Sequence, residues 1–162
     1  MELTNIIIEL ITNIYLINCF FTLLIVQLIK TITASIEQGK LCFVSFFETG
    51  GMPSSHSALV TALTFSLFLY QGITPLFVIS LVFTAITIRD SFGVRKSVGD
   101  HSMTLNQIIL QMNKQWKERK SIKPQKTKLN LVSVIKGHTL LQVIVGTLLG
   151  IIIPLLIRYI IS

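Results

Sequence analysis

The sequence predicts an all-α, polytopic helical membrane protein with about four transmembrane helices, and three observations carry that prediction. The first is composition: 51% of the 162 residues are hydrophobic and 13% are charged, about half the ~25% charge of a soluble domain. The second is distribution, because the apolar residues fall in runs long enough to cross a bilayer, separated by turn-forming residues. The third is charge. Of a net +7, seven Lys/Arg lie between Lys114 and Lys128 against the single acid Glu118. Flanked by membrane segments, such a run suits anionic phospholipid headgroups or cytoplasmic water rather than nucleic acid. Cys19, Cys42 and three histidines supply neither a disulfide framework nor metal-ligand spacing, so neither a metal nor another cofactor is expected.

Taken in order, the chain reads as a single integral membrane domain, 1–162. The first span covers 14–34: Ile14 to Ile29 is almost wholly apolar, and Lys30 closes it. Ahead of it, Leu3 to Asn13 carries Glu9 and lies in the interface or extends the helix. Glu2 and Glu9, with no basic cluster before them, argue against a cleaved leader. Residues 35–52 read as a loop or re-entrant piece, with Phe43, Phe46 and Phe47 as interfacial anchors. Spans 55–71 and 74–90 form a hairpin about the uncharged turn Gln71-Gly72-Ile73-Thr74-Pro75, both near the ~17-residue lower limit. Residues 91–137 form a basic polar loop. Within it, Thr104 to Arg119 predicts a helix with Leu105, Ile108, Ile109 and Met112 on one side, resting on the membrane or covering the site. A basic linker with Pro124 follows. The last span, 138–160, holds the pair Gly146 and Gly150, which admits close approach of another helix, either within the chain or in a homodimer. Pro154 marks a kink.

Counting sides puts thirteen of the fourteen Lys/Arg on one face, with Arg158 opposite. The positive-inside rule makes that face cytoplasmic, or stromal in an organelle, and the N-terminus external.

The chemistry gathers on the same face. In Gly50-Gly51-Met52-Pro53-Ser54-Ser55-His56-Ser57, two glycines allow a turn and Pro53 suits a first helical position. The serines suit a cap, and His56 is a proton donor or acceptor near neutral pH. A helix start of this kind favours an anion such as phosphate. A serine-rich cap with an incidental histidine is the alternative. His138 follows Gly137 and opens the last helix, with Gln142 one turn later. The side count also brings Lys30, Arg89, Asp90, Arg95, Lys96 and Lys136 there. Singly, such cations are ordinary positive-inside or snorkelling residues. Two histidines at two helix starts are harder to explain that way.

These residues resemble a known family. Gly51 to Val60, Asp90-Ser91-Phe92-Gly93-Val94-Arg95, Leu105-Asn106, and Gly137-His138-Thr139 with Val143 and Gly146 are similar, in that order, to the divergent PAP2 family. That family is described as related to acid phosphatases and vanadium-dependent haloperoxidases. The likeness covers roughly residues 27–152 and implies a reduced PAP2-like bundle. It further implies hydrolysis of a lipid phosphate or diphosphate through a phosphohistidine, without metal or cofactor, at the cytoplasmic membrane face. On that likeness His138 is the nucleophile, Gln142 takes the place of the carboxylate that orients it, and His56 protonates the leaving oxygen. Ser54 and Ser55 hold phosphoryl oxygens, Lys30 matches the lysine of the first PAP2 motif, and Arg95 is a further phosphate clamp among Asp90 and Lys96. The sequence departs from mainstream PAP2 enzymes at three places. Val132 stands where an arginine precedes the histidine, no Arg-Pro pair follows Lys30, and Gln142 is neutral. A non-catalytic protein that binds anionic headgroups or a partner through the same cationic pocket is therefore the alternative function.

Overall fold

The computed structural model describes residues 2–41, 46, 50–118, 129–134 and 137–161. Six helices account for nearly all of them: α1 (Glu2–Thr12), α2 (Ile14–Gln38), α3 (Ser55–Gln71), α4 (Pro75–Phe92), α5 (Val94–Glu118) and α6 (Leu140–Ile161). No strand occurs among the described residues. Among the described residues three stretches are long and apolar enough to cross a membrane: Ile14–Gln38, Pro75–Gln115 and Leu140–Ile161. The 17-residue α3 is the helix they surround, packing most extensively on α6, then on α4 and α2.

Local chemistry sets the helix ends. Asn13 caps α2 by accepting from the amides of Tyr15 and Leu16 (3.0 and 3.3 Å), which separates α2 from α1 after one residue. Gly39 ends α2 at φ 63°, a left-handed conformation that favours glycine. Thr74 caps α4 and Pro75 opens it, a position where the absent N–H is no loss. Pro53 does not open α3 as its sequence suggested. Ser54 is the cap, Ser55 the first helical residue, and Pro53 precedes both after a cis bond to Met52.

The bundle is apolar outside and partly polar within. Phe20, Ile32, Phe83, Ile86 and Leu156 are all more than half exposed. Asn18, Thr22, Ser66, Thr64 and Thr84 are buried. Asn18 donates to Ser66 across α2 and α3 at 2.9 Å, and Thr64 meets Thr84 across α3 and α4 at 2.8 Å. Hydrocarbon gives apolar side chains no reason to turn inward, so small residues and hydrogen bonds hold membrane helices together. The protein is thus an integral membrane protein that contacts membrane lipids.

Close approach of α6 and α3 depends on the paired glycines. A Cβ at Gly146 would lie 2.4 Å from the Ser54 carbonyl oxygen, and one at Gly150 would lie 2.5 Å from that of Ala58. The GxxxG surface is therefore occupied within the chain. Away from α3's N-terminal end, Arg158 donates to the Leu69 carbonyl and stacks over Tyr70 at 5.5 Å. Tyr15 accepts from Gln71 at 2.8 Å.

The polar section departs from expectation. Helix resumes at Val94, directly after the break at Gly93, rather than at Thr104. Among the other helices α5 packs only on α4, so its body does not cover the site. Its partner is the segment 129–134. Asn106 exchanges two hydrogen bonds with the Val132 backbone (2.9 and 2.8 Å). Asn113 does the same with Leu129 (2.9 and 3.0 Å). Asn106, Ile109 and Asn113 share one face, and Ile109 is buried there while Leu105, Ile108 and Met112 are exposed. Phe43, Phe47, Lys136 and the basic linker 119–128 with Pro124 lie outside the described residues.

Candidate functional site

The site forms where the N-termini of α3 and α6 meet the C-terminal end of α4 and the buried Lys30 of α2. Two backbone bonds bring them together. The Ser54 amide donates to the Gln142 carbonyl at 3.0 Å, joining the two helix starts, and the His138 amide donates to the Ser91 carbonyl at 3.1 Å. Gly137 makes the second bond possible, since a Cβ there would come within 2.3 Å of the Lys96 Cα. A third tie fixes the loop before α3: the Thr33 hydroxyl reaches the Met52 carbonyl at 2.8 Å. Gly51, at φ 84°, would place a Cβ 3.4 Å from Lys30 Cε, so this turn lies along the lysine stem.

His138 is buried, 4% exposed. Its Nδ1 is 3.3 Å from Gln142 Oε1, which also accepts the Thr139 amide at 3.0 Å. Because a backbone N–H can only donate, that contact identifies the atom as the amide oxygen. The imidazole must then carry its proton on Nδ1 to bond it. Nε2 keeps its lone pair. Burial is the main cause that pulls the His138 pKa below the ordinary imidazole value, with the charges of His56 and Lys30 adding to it. Hydrogen bonds to Gln142 and the Gly51 backbone oppose the shift. A neutral ring near pH 7 follows from the balance.

The His56 ring, in the first turn of α3, lies with its centroid 6.3 Å from that of His138, tilted by 57°. Arg95, Lys30 and Asp90 all act on it electrostatically. Asp90 and Arg95 pair with each other, Oδ2 to Nε at 2.6 Å, both partly exposed. The structure thus gathers Lys30, His56, His138, Gln142, Asp90 and Arg95. Lys96 borders the group through its backbone at Gly137. Arg89 sits in the last turn of α4 with its side chain exposed.

Ser54 and Ser55 differ. The Ser54 hydroxyl accepts from the Ser57 amide at 3.4 Å and from the Ser57 hydroxyl at 3.1 Å, while its amide holds Gln142. Ser54 is completely buried and engaged in capping. Ser55 and His56 stand at the first two positions of α3, whose amides have no intrahelical acceptor. Val132, at the place of the missing arginine, is held on α5 by Asn106. Sequence reasoning passed over Thr33 and quoted Ser91 and Thr139 only within motifs, without a role; all three act through backbone groups or hold them. Among the described residues no three His, Cys, Asp or Glu side chains gather as metal ligands do.

No solved structure matches the chain. It is 34% identical over 154 residues to a Bacillus subtilis (strain 168) protein described as uncharacterized membrane protein YuiD, covering 93% of this chain and 98% of that one. The profile of the divergent PAP2 family matches residues 11–153, a range that includes every residue of the site. The chain belongs to the divergent PAP2 family.

Proposed function

We propose that the protein is a membrane phosphatase that hydrolyses a lipid phosphate or diphosphate through a phosphohistidine at the cytoplasmic face. The observation that carries this reading is the Gln142 contact, which puts the lone pair of a neutral His138 on Nε2. His138 Nε2 bonds to phosphorus as the bond to the leaving oxygen breaks. His56, protonated, gives that oxygen its proton. Water then attacks the phosphohistidine, His56 takes the water's proton, and inorganic phosphate leaves with His138 restored. The 6.3 Å between ring centroids suits a phosphoryl group in contact with both.

Charge spreads over the phosphoryl oxygens in such a reaction, so fixed donors and cations supply most of the rate. The amides of Ser55 and His56 at the α3 N-terminus, Lys30 and Arg95 serve as those donors, with Ser54 as the cap that aims the amides. Asp90 holds Arg95, and Lys96 adds positive charge at the rim. The lopsided distribution of Lys/Arg supports the cytoplasmic placement, where anionic headgroups would also be drawn in.

The test is phosphate release by detergent-purified protein from a panel of lipid phosphates and diphosphates, without added metal. Wild type should turn over at least one of them, and His138→Ala and His56→Ala should not. Full activity in both variants would sink the proposal. One observation favours a second reading: Gln142 is neutral and cannot balance an imidazolium as a carboxylate does. Headgroup binding with no turnover by a folded preparation would establish that non-catalytic role.

A further inference from the structure

His138 stands outside the helix it precedes. Because α6 begins at Leu140, the helical ladder does not fix the histidine, and its place is set from elsewhere. Its ring meets α6 through Gln142 at 3.3 Å, a bond at the long end of the hydrogen-bond range that a small shift would break. The backbone contacts come from α4 and α5. The His138 amide donates to the Ser91 carbonyl of α4 at 3.1 Å, and Gly137 lies against the Lys96 backbone of α5. These two helices act as one support across their junction. The Gly93 amide bonds the Arg89 carbonyl and the Ser97 amide bonds the Gly93 carbonyl, both at 3.0 Å.

The chain that leads to His138 is gripped twice more on α5. Asn106 gives its Nδ2–H to the Val132 carbonyl at 2.9 Å and takes the Val132 N–H on Oδ1 at 2.8 Å. Asn113 treats Leu129 in the same way, at 2.9 and 3.0 Å. Each carboxamide exchanges two bonds with a single residue, the pairing that a neighbouring strand would make. The two grips are in register. From Asn106 to Asn113 the helix rises about 10.5 Å, and from Leu129 to Val132 an extended chain spans about 10 Å. Ile109, between the two asparagines, is buried. Rising numbers on α5 meet falling numbers on 129–134, so the segment runs antiparallel to the helix, toward Lys96. From Lys96 to Asn106 the helix rises about 15 Å. The chain from Val132 to Gly137 can reach at most about 17 Å. Little slack separates the Asn106 grip from the residue before His138.

We propose that Asn106 and Asn113 are positioning residues for His138: by fixing 129–134 along α5 they set where the imidazole stands against Gln142. Asn106, nearer in the chain, has the larger effect. The helix α5 is then a splint for the site rather than its cover. That His138 is a nucleophile rests on the function proposed above; the place of its ring does not depend on turnover.

The experiment uses full-length protein in detergent with isotopically labelled histidine ring nitrogens, read by NMR. His56, His101 and His138 are the three histidines, and the His138 signals are identified by their loss in His138→Ala. At a pH where the ring is neutral, wild type should carry the proton on Nδ1. Asn106→Leu should lower the ratio of Nδ1–H to Nε2–H by up to about tenfold, the worth of the bond to Gln142. Asn113→Leu should lower it less. Gln107→Leu, the same change on an exposed position of α5, should leave it as in wild type. Where turnover is measured, Asn106→Leu should lower kcat by up to about tenfold with KM within about twofold. A lower thermal midpoint with the His138 signals unmoved in both asparagine variants would show a merely structural clip and overturn the proposal. An equal shift in Gln107→Leu would overturn it too. Should Asn106→Leu fail to fold, Asn113→Leu decides by the same signals. A tautomer shift in these variants with no phosphate release by wild type would sustain this proposal and defeat the phosphatase reading. Release by wild type, with kcat and ring signals unchanged in both variants, would do the reverse.

Discussion

Substituting Gly146 by alanine tests whether the site depends on the α3–α6 contact. The added Cβ would stand 2.4 Å from the Ser54 carbonyl oxygen and 3.3 Å from its Cβ. Non-bonded heavy atoms settle near 3.5–4 Å, so α6 must move away by about 1 Å. Both partners are helix backbone, and neither can swing aside as a flexible side chain would. Overpacking of this kind costs about 1–3 kcal/mol. The Ser54–Gln142 bond, now 3.0 Å, would stretch past useful length and remove about 1 kcal/mol more. A total of about 2–4 kcal/mol, at about 2–4 °C per kcal/mol for a chain of this size, lowers the thermal midpoint by roughly 5–15 °C. Thermal unfolding in detergent measures it. Leu148→Ala is the control, since Leu148 is 51% exposed on α6 and its loss should matter by about 0.5 kcal/mol or less. A Gly146→Ala midpoint within about 2 °C of wild type would refute the packing argument. Loss of midpoint with full activity would refute the dependence of the site on it.

Four further outcomes follow from the geometry. If Gln142 fixes the His138 tautomer, Gln142→Leu should lower kcat by up to about tenfold, the worth of one hydrogen bond, and an unchanged kcat would remove Gln142 from the machinery. The nucleophile must be neutral and its pKa is lowered, so the acidic limb of kcat/KM should fall below the ordinary imidazole value. In Gln142→Glu it should move up, because a carboxylate favours the imidazolium; a rate profile showing no shift between the two would contradict the assignment. Breaking the partly exposed Asp90–Arg95 pair should cost stability no more than about 1 kcal/mol, yet Arg95→Ala should raise KM more than Asp90→Ala, which leaves the guanidinium present, and an unchanged KM in Arg95→Ala would remove Arg95 as a phosphate clamp. Asn106→Leu should free residues 129–134 from α5 and speed limited proteolysis there, a result absent if the segment is held by other contacts.

Much of the membrane architecture was legible because lipid burial and helix geometry write long apolar runs with sharp ends. The Thr74-Pro75 start, the Gly146/Gly150 contact and His56 at the start of α3 could be read directly, since each depends on residue type at fixed spacing, whereas His138 stands two residues ahead of α6 rather than opening it. The start of α5 could not. Arg89 to Lys96 is polar and holds Gly93, which reads as a loop, but the backbone breaks for one residue and helix resumes. Nor could the asparagine clips be foreseen. Asn106 and Asn113, seven residues apart, recognise main-chain groups of 129–134, and main chain carries no sequence signal. The same holds for Ser91, which contributes a carbonyl to the His138 amide. Asn18 was the overlooked exception: a polar amide inside an apolar span signals an internal contact in a membrane bundle, and it finds Ser66. The start of the 55–71 span agrees with α3, but Pro53, which suits a first helical turn by type, stands outside the helix ahead of the Ser54 cap. The structure selects Ser54 through the Ser57 amide.

The central claim is that His138 forms a bond to phosphorus, and the most direct measurement is to look for that bond. Protein mixed with a substrate lipid labelled at phosphorus, quenched in alkali within one turnover and digested, should carry an acid-labile phosphoryl group on the peptide containing His138. The label should vanish in His138→Ala and form more slowly in His56→Ala, which lacks the proton donor for the leaving oxygen. Turnover by wild type with no label on that peptide, or a label that survives in His138→Ala, would contradict the account.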